Sequence, residues 1–506
     1  MVYLNTDKGQ NYLIPQKIND LFSKDHVCYL IEQIAESIDY SNFDRRYAGA
    51  GHPAYHPRIS VKLLMMAGVD GVNSSRRIAK NAQENVVYIY LAEKTSPDFR
   101  TISDFRKNNR KLIKQVSVEL SKFAYEHGMI DLSHLMVDGT TIKASANDNK
   151  IIDKETLQKI SKYIDKVIDE GIKVDEEEDK IYGDRGMHQL PEEFNNSEKR
   201  RPIIKKIVDE INKSIKEDRK EDAQKIKEDI AKVDAKMLES GIKKYSFTDP
   251  DARFMLNKKG KTELSYNAQL VVDKNGIIIA DDVVQNSSDK PYLAHDIDQV
   301  EQNFGKLSEG TKVLADAGYE NGEQMQILNQ RGFDLYIPGK FTATIETRQK
   351  EFSKAKFKYN EQKDTYICPE NKILNNIGQY YRKKEQRHMT IYKCQDCATC
   401  PQQKACCKNK KLRTLHAIPE DKLLNKIKEK LQTIDGEKIY KLRKQTIERS
   451  IGDIKHNKKF TTFLTRGIEK VKTEFNIACI AHNLVIINNL MKKKNTKNPS
   501  FLANTC

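Results

Sequence analysis

The sequence predicts a mixed α/β core, preceded by a helical region and interrupted by two insertions. Three observations predict it. Short apolar runs end at aspartate in two places, Asp138 and Asp316. Between them, segments with strand patterning alternate with segments of helical spacing, as in a layered α/β domain. A Lys/Glu-rich stretch and a cysteine cluster then separate pieces of this pattern. The 506 residues also exceed a single core, and at about 100–200 residues per domain roughly three or four structural units are expected.

The elements follow in order. Residues 1–130 read as helical. The segment His56 to Val72 opens at Pro57 and carries Ile59, Leu63, Leu64 and Ala67 at helical spacing. Ser74 stands at a cap position before SRRIAKNAQENVVYIYL, and Thr101 with Asp104 has capping-box spacing before Phe105. These helices carry Arg76, Arg77, Arg100, Arg106 and Arg110, which fits either a helix-turn-helix-like DNA reader or a helical cap with a basic face.

His134 to Val137 reads as a short buried strand ending at Asp138-Gly139. Residues 151–244 are rich in Lys and Glu, and Ile204, Ile207, Ile211 and Ile215 form an apolar stripe, so a helical hairpin inserted between strands is expected there. After Asp249-Pro250-Asp251, Glu263 to Asp273 and Gly276 to Gln285 flank Lys274-Asn275-Gly276 as a β-hairpin. A helix from Leu293 to Phe304, a strand ending at Asp316, a helix from Gly322 to Gln330 and the strand at Asp334 to Pro338 complete the run. Strand with aspartate, insertion, hairpin, helix, strand with aspartate, helix, strand is the order of a ribonuclease H-like fold. The expected divisions are a helical, DNA-binding region at 1–130, core segments at 131–150 and 245–340, a charged helical insertion at 151–244, a basic cysteine-rich insertion at 341–435, the last core segment at 436–495 and a tail at 496–506.

Charge narrows the function. Lys and Arg number 88 against 72 Asp and Glu, a net +16, and two segments hold all of it: Arg382 to Arg413 and Lys438 to Lys472 are each +8. A positive field focused this way suits a polyanion, the plain alternative being a solvated lysine-rich surface. With 38% hydrophobic residues, 22 Tyr and 17 Phe, the chain is not wholly disordered. No stretch of about 18 apolar residues suggests a membrane span. The N-terminal residues lack the pattern of a secretory signal, and nine cysteines are too sparse for a disulfide scaffold. A soluble protein of a reducing, cytoplasmic compartment is expected.

The candidate chemistry is carboxylate-based. Magnesium prefers a few hard oxygen donors from separate elements and keeps several waters. Asp138 and Asp316, each at the end of an apolar strand, meet that description, although aspartates also end strands merely to make turns. The third group lies on a helix expected from Ile439 to Phe460, where Tyr440, Arg443, Glu448 and Lys455 fall at about 0°, −60°, 80° and 60° on a wheel of 100° per residue. Ile447 and Ile451 share that face, and a half-buried charged face suggests a site. Separately, Cys394, Cys397, Cys400, Cys406 and Cys407 fall within fourteen residues, with Cys368 upstream. Their Cys-x2-Cys spacing suits a structural, knuckle-like zinc site using four of Cys368, Cys394, Cys397, Cys400 and Cys406, against free thiols in a lysine-rich loop.

These residues resemble a known family. VDGTT at Asp138, LADAGY at Asp316 and the Tyr440, Arg443, Glu448, Lys455 series resemble the three catalytic blocks of bacterial insertion-sequence DDE transposases. The chain is similar in particular to a subgroup with an N-terminal helical domain, an SDPDAR-like block, here TDPDARFM from Thr248 to Met255, and a cysteine-bearing insertion. Residues 52–91 and SPDFRTISDFRK match that subgroup's N-terminal part. Here Glu448 is followed by Arg449-Ser450-Ile451-Gly452, where many relatives have Pro-Val-Phe-Gly. The resemblance implies that Asp138, Asp316 and Glu448 hold two Mg²⁺ or Mn²⁺ ions about 3.5–4 Å apart for DNA cleavage and strand transfer. It implies that Arg443 and Lys455 hold phosphates, with Tyr440 supporting the helix or touching DNA and Lys143 near the backbone. Arg76, Arg77 and Arg106 would contact DNA from the N-terminal region. The implied partners are terminal inverted repeats and target DNA, with a dimer in the synapsed state. A non-catalytic, domesticated derivative and a nuclease without strand transfer are the alternative readings.

Overall fold

The computed structural model describes residues 17–43, 54–147, 150–174, 206–207, 209–211, 213, 220–257, 260–339, 352, 354–383, 387–407 and 410–497. The chain forms two compact units. One contains the residues up to Thr140, Asn267–Thr461 and those from Lys472 onward; the other contains Thr141–Tyr266 and Thr462–Val471. Elements are numbered in chain order.

The first unit begins with helices α1 (Val27–Glu36), α2 (Pro57–Val69), α3 (Ser75–Glu84), α4 (Val86–Leu91), α5 (Phe99–Asn108) and α6 (Arg110–Glu126). The His56 ring caps α2 by accepting from the Arg58 N–H at 3.2 Å, with Pro57 at the first helical position. The stripe Ile59, Leu63, Leu64, Ala67 is buried as its spacing predicts. Two expectations shift. The single helix expected after Ser74 breaks at Asn85, whose side chain caps α4, while Ser74 makes no capping bond. Helix α5 starts before Thr101 because the Asp98 carboxylate accepts the Thr101 N–H at 2.7 Å, so Asp98, not Thr101, is the cap.

The mixed sheet of this unit runs β6-β5-β1-β7-β8, with β1 at His134–Lys143, β5 at Thr262–Val272, β6 at Ile278–Val284, β7 at Lys312–Ala315 and β8 at Asp334–Tyr336. Strands β1 and β5 continue past the end of the unit. β6 is antiparallel to β5, whereas β7 is parallel to both β1 and β8. The hairpin turns where the sequence predicts: the Asp273 carboxylate accepts from the N–H groups of Asn275 and Ile277, and Gly276 takes φ +86°, a conformation favourable only to glycine. Helix α9 (Leu293–Phe304) packs on the sheet, and Leu135, Val137, Val313, Leu293 and Ile297 are wholly buried in one core. Each such aliphatic side chain stabilises the unit by about 1.5–3 kcal/mol relative to exposure. Helix α10 (Gly322–Gln330) bridges β7 and β8.

The basic, cysteine-bearing stretch is a five-stranded antiparallel sheet ordered β13-β12-β11-β10-β9. Its strands are β9 (Lys358–Asn360), β10 (Thr365–Ile367), β11 (Ile373–Arg382), β12 (Arg387–Cys394) and β13 (Thr414–Ala417), with the short helix α11 (Gln403–Cys407). Helices α12 (Asp421–Leu431), α13 (Ile434–Gly452) and α14 (Ile468–Lys497) follow. Gly436 opens α13 where an added Cβ would fall 1.9 Å from the Lys430 carbonyl, so the α12–α13 corner requires glycine. The helix expected to continue to Phe460 instead leaves α geometry at Gly452 and makes a π turn, Asp453–Asn457.

In the second unit, β2 (Ile151–Asp153) pairs antiparallel with β3 (Lys244–Ser246). Between them lie α7 (Lys154–Val174) and α8 (Lys220–Glu239), packed over Ile152, Leu157, Ile160, Ile164, Ile230 and Met237. Ile211 joins that core, and Ile204 and Ile215 lie outside the described residues. Strand β4 (Arg253–Leu256) pairs with the first half of β5. The Asp-Pro-Asp block anchors the segment before α14: Asp249 accepts from the Tyr266 hydroxyl at 2.8 Å and the Gly467 N–H at 3.1 Å, and Asp251 from the Ile468 N–H at 3.0 Å. Among the described residues no helix is long and apolar enough to cross a membrane.

Candidate active site

Two strands and one helix of the first unit build the site. Leu135, Met136 and Val137 are wholly buried, as are Val313, Leu314 and Ala315, so each run is held by the core up to the residue that follows it. The parallel register pairs Val137 with Ala315. Asp138, within β1, and Asp316, just past the end of β7, therefore emerge side by side; the strand expected to end at Asp138-Gly139 instead runs on to Lys143, so only Asp316 stands at a strand end. Asp138 turns one oxygen to the Gly139 N–H at 2.9 Å, and Asp316 turns one to the Gly318 N–H at 2.7 Å, opening a short 3₁₀ turn. The other oxygen of each, Oδ2, is the one nearest Arg443.

Helix α13 supplies the rest. Ile447 and Ile451 bury one stripe, which carries Arg443 inward and leaves Glu448 at the surface of the site. The Arg443 guanidinium lies 2.9 Å from Asp138 Oδ2, 3.9 Å from Asp316 Oδ2 and 3.7 Å from Glu448 Oε1. Its side chain is only 10% exposed, while Asp316 and Glu448 remain 42% and 45% exposed, so the site is open on their side. Burial opposes the charge on Arg443, but Asp138, Tyr440, Asp316 and Glu448 outweigh it and hold the guanidinium above its ordinary pKa. Tyr440, half-buried beside it, has its phenol pushed up by burial, with Arg443 opposing.

A second layer lies behind the strands, and the sequence reading did not find it. Asp289 accepts from the Asn267 amide at 2.7 Å and the Gln269 amide at 2.8 Å, and the buried Tyr319 hydroxyl donates to Gln269. An added Cβ on Gly139 would meet Asp289 Oδ1 at 2.4 Å, and one on Gly318 would come within 3.3 Å of Asp289 Oδ2. The glycines that follow the two aspartates thus make room for a fourth carboxylate. Ser265, Asn267 and Gln269 alternate along β5 as buried polar residues, the signal in the sequence that this face is polar. Asp296 lies nearby, its carboxyl pushed well above the ordinary range by burial and then by Asp282 and Asp289.

The donor set suits magnesium: three carboxylates, all hard oxygen donors, converge on one point. The guanidinium occupies that point, and among the described residues no three His, Cys, Asp or Glu side chains are arranged to hold an ion. The same finding leaves the expected zinc site without support. Cys394, Cys397, Cys406 and Cys407 do gather, with Cys368 against them, but in the apolar core of the five-stranded sheet. Burial pushes the Cys394 and Cys407 thiols up to about 12, and Cys397 hydrogen-bonds to both. Cys400 is half-buried and outside that core.

The other expected contacts divide. Arg76 and Arg77 are exposed, with Arg76 stacked 4.7 Å over the Phe99 ring. Arg106 is buried and donates to the Asn73 carbonyl at 2.9 Å, so it braces the helical region and does not face solvent to read DNA. Lys143 ends β1 in the second unit, exposed, its carbonyl accepting the Phe463 N–H. Lys455 lies in the π turn, where the wheel phase that paired it with Glu448 no longer applies.

Asp138 and Asp316 from neighbouring strands and Glu448 from α13 thus stand around one guanidinium. Residues 367–487, which include Tyr440, Arg443 and Glu448, match the family described as Transposase DDE domain, and residues 16–108 match the one described as Transposase domain (DUF772). Both matches are to transposase domains, and together they support an insertion-sequence DDE transposase. No curated protein matches the chain.

Proposed function

We propose that the chain cleaves DNA at the ends of an insertion sequence and joins them to target DNA, with Asp138, Asp316 and Glu448 as its catalytic carboxylates on a ribonuclease H-like core. The convergence of these three side chains from two strands and a helix on one guanidinium carries the reading. The strand order β6-β5-β1-β7-β8, with the aspartates on the adjacent parallel strands β1 and β7, supports the fold assignment.

Asp138, Asp316 and Glu448 would hold divalent ions, which would supply positive charge at the attacking and leaving oxygens. The chain's own residues do the rest. Asp138, nearly buried, fixes the inner wall, and the more exposed Asp316 and Glu448 line the side from which a DNA strand approaches. Arg443 presents a planar fork matched to a phosphate, and the exposed Lys444 and Arg449 extend the basic surface along α13. Terminal inverted repeats and target DNA are the proposed substrates, brought together by a synaptic dimer.

Incubating the full chain with DNA carrying the element's ends and Mg²⁺ or Mn²⁺ tests this. Nicked and joined products are expected, lost in Asp316→Asn. Binding without cleavage would point to a domesticated DNA-binding derivative, and cleavage without joining of pre-cleaved ends to a simple nuclease.

A further inference from the structure

We propose that Arg443 is a built-in substitute for the divalent ions: in the DNA-free chain its guanidinium holds the carboxylates together, and the ions enter only as Arg443 shifts to a DNA phosphate. This rests on the carboxylate centre proposed above and adds its regulation, a coupled uptake of ions and DNA.

Three observations carry it. The first is position, because the guanidinium lies within 3.9 Å of an oxygen of Asp138, Asp316 and Glu448. An ion shared by these carboxylates and the present guanidinium would need the same volume. The second is incomplete satisfaction. A buried arginine retained only for structure is expected to have its donors paired; here Nε is buried with no partner, and only the contact to Asp138 is at hydrogen-bonding distance. The arginine is held by charge more than by fitted hydrogen bonds, so a competing cation can release it. The third is the destination. Arg443 lies in the Lys438 to Lys472 segment of net +8, on the side of the site where Asp316 and Glu448 are exposed. A phosphate there offers the bidentate acceptor that a guanidinium fits best.

The consequence is that the site avoids holding cations without substrate. Without DNA, a divalent ion must displace a positive charge already neutralising the carboxylates. Once a phosphate takes the guanidinium, the carboxylates are left uncompensated and bind ions more tightly.

Binding of Mn²⁺ to the full chain, read by the electron paramagnetic resonance signal of free Mn²⁺ with and without a DNA duplex, tests the proposal. Wild type is expected to bind weakly alone and more tightly with DNA. Arg443→Gln is expected to bind at least about tenfold tighter than wild type without DNA, the scale of removing one nearby charge, and to show no further gain with DNA. Arg443→Lys keeps the charge on a shorter stem and is also expected to bind more tightly than wild type. A wild-type affinity for Arg443→Lys beside a tight Arg443→Gln would reduce the effect to charge alone and overturn the displacement. Unchanged or weaker binding by Arg443→Gln would overturn it as well. Asp316→Asn separates the two readings: if it weakens Mn²⁺ binding while Arg443→Gln does not tighten it, the carboxylate centre stands and the substitution role falls; if Asp316→Asn changes nothing, the centre itself falls. Thermal unfolding gives a second readout, since Arg443→Gln should melt lower than wild type in EDTA and recover with Mn²⁺. Failure of saturating Mn²⁺ to restore it would contradict the proposal.

Discussion

Lys62 is wholly buried in α2, and its ammonium is tied to Glu93 at 2.8 Å and to Glu32 at 3.8 Å. Removing one partner of such a pair leaves a charge stranded in the core, which costs more than the pair contributes. Glu93→Gln is therefore expected to destabilise the helical region by about 3 kcal/mol, measured by urea unfolding, whereas Lys62→Met should be close to neutral. The hydrogen bond from Arg58, joined by Lys62, holds the Glu93 carboxyl down at about 2. A carboxyl lowered in the folded chain stabilises it fully above its ordinary value of 4.5 and loses that contribution as pH falls toward 2. Wild-type stability should fall over that acid window more steeply than that of Glu93→Gln. Gly139 shows a residue that chemistry requires to be small. Gly139→Ala drives a methyl into Asp289 and Gln269, which is expected to cost about 1–3 kcal/mol and to abolish cleavage by displacing Asp138; an Ala variant with wild-type product yield would contradict the second-layer geometry.

At the scale of elements, α13 is positioned by the hairpin turn beneath it. His482 of α14 faces the Asp453 carboxylate at 2.7 Å and the Gly276 carbonyl at 3.0 Å, and the Ser450 hydroxyl donates to the same carbonyl. His482→Phe takes that partner from the half-buried Asp453 carboxylate and the buried Gly276 carbonyl, an expected loss of about 1–3 kcal/mol, with reduced cleavage because the Glu448 helix is no longer pinned; calorimetry and product yield read the two effects. The strands bearing Asp138 and Asp316 were legible because an unbroken apolar run of fixed length ends at a charge, and burial on both faces demands that pattern. The Glu448 helix was legible from its stripe of Ile447 and Ile451, but the π turn was not, since one extra residue per turn changes no residue type. The sheet in the basic stretch was hidden for another reason. β11 exposes residues on both faces, so it has no apolar alternation to read, and the sheet's core includes Cys394, Cys397, Cys406 and Cys407, whose spacing alone suggests metal ligands. Arg106 was misread because sequence gives charge without burial.

For the whole molecule, the net charge of +16 lies in the cysteine-bearing sheet and the Glu448 helix region, and binding to DNA should follow that charge. If six to ten phosphates are neutralised, raising salt from about 50 to 200 mM should weaken binding about 10³- to 10⁵-fold; a salt-independent affinity would show that the basic segments do not face DNA. The proposed carboxylate centre makes the sharpest claim, that Asp316 touches a catalytic divalent ion. Replacing it by cysteine exchanges a hard oxygen donor for a soft sulfur, which Mg²⁺ rejects and Mn²⁺ tolerates better. Cleavage of DNA carrying the element's ends by Asp316→Cys should be lost in Mg²⁺ and at least partly restored in Mn²⁺. Activity in Mg²⁺ comparable to wild type, or equal loss with both ions, would contradict direct contact between Asp316 and the metal.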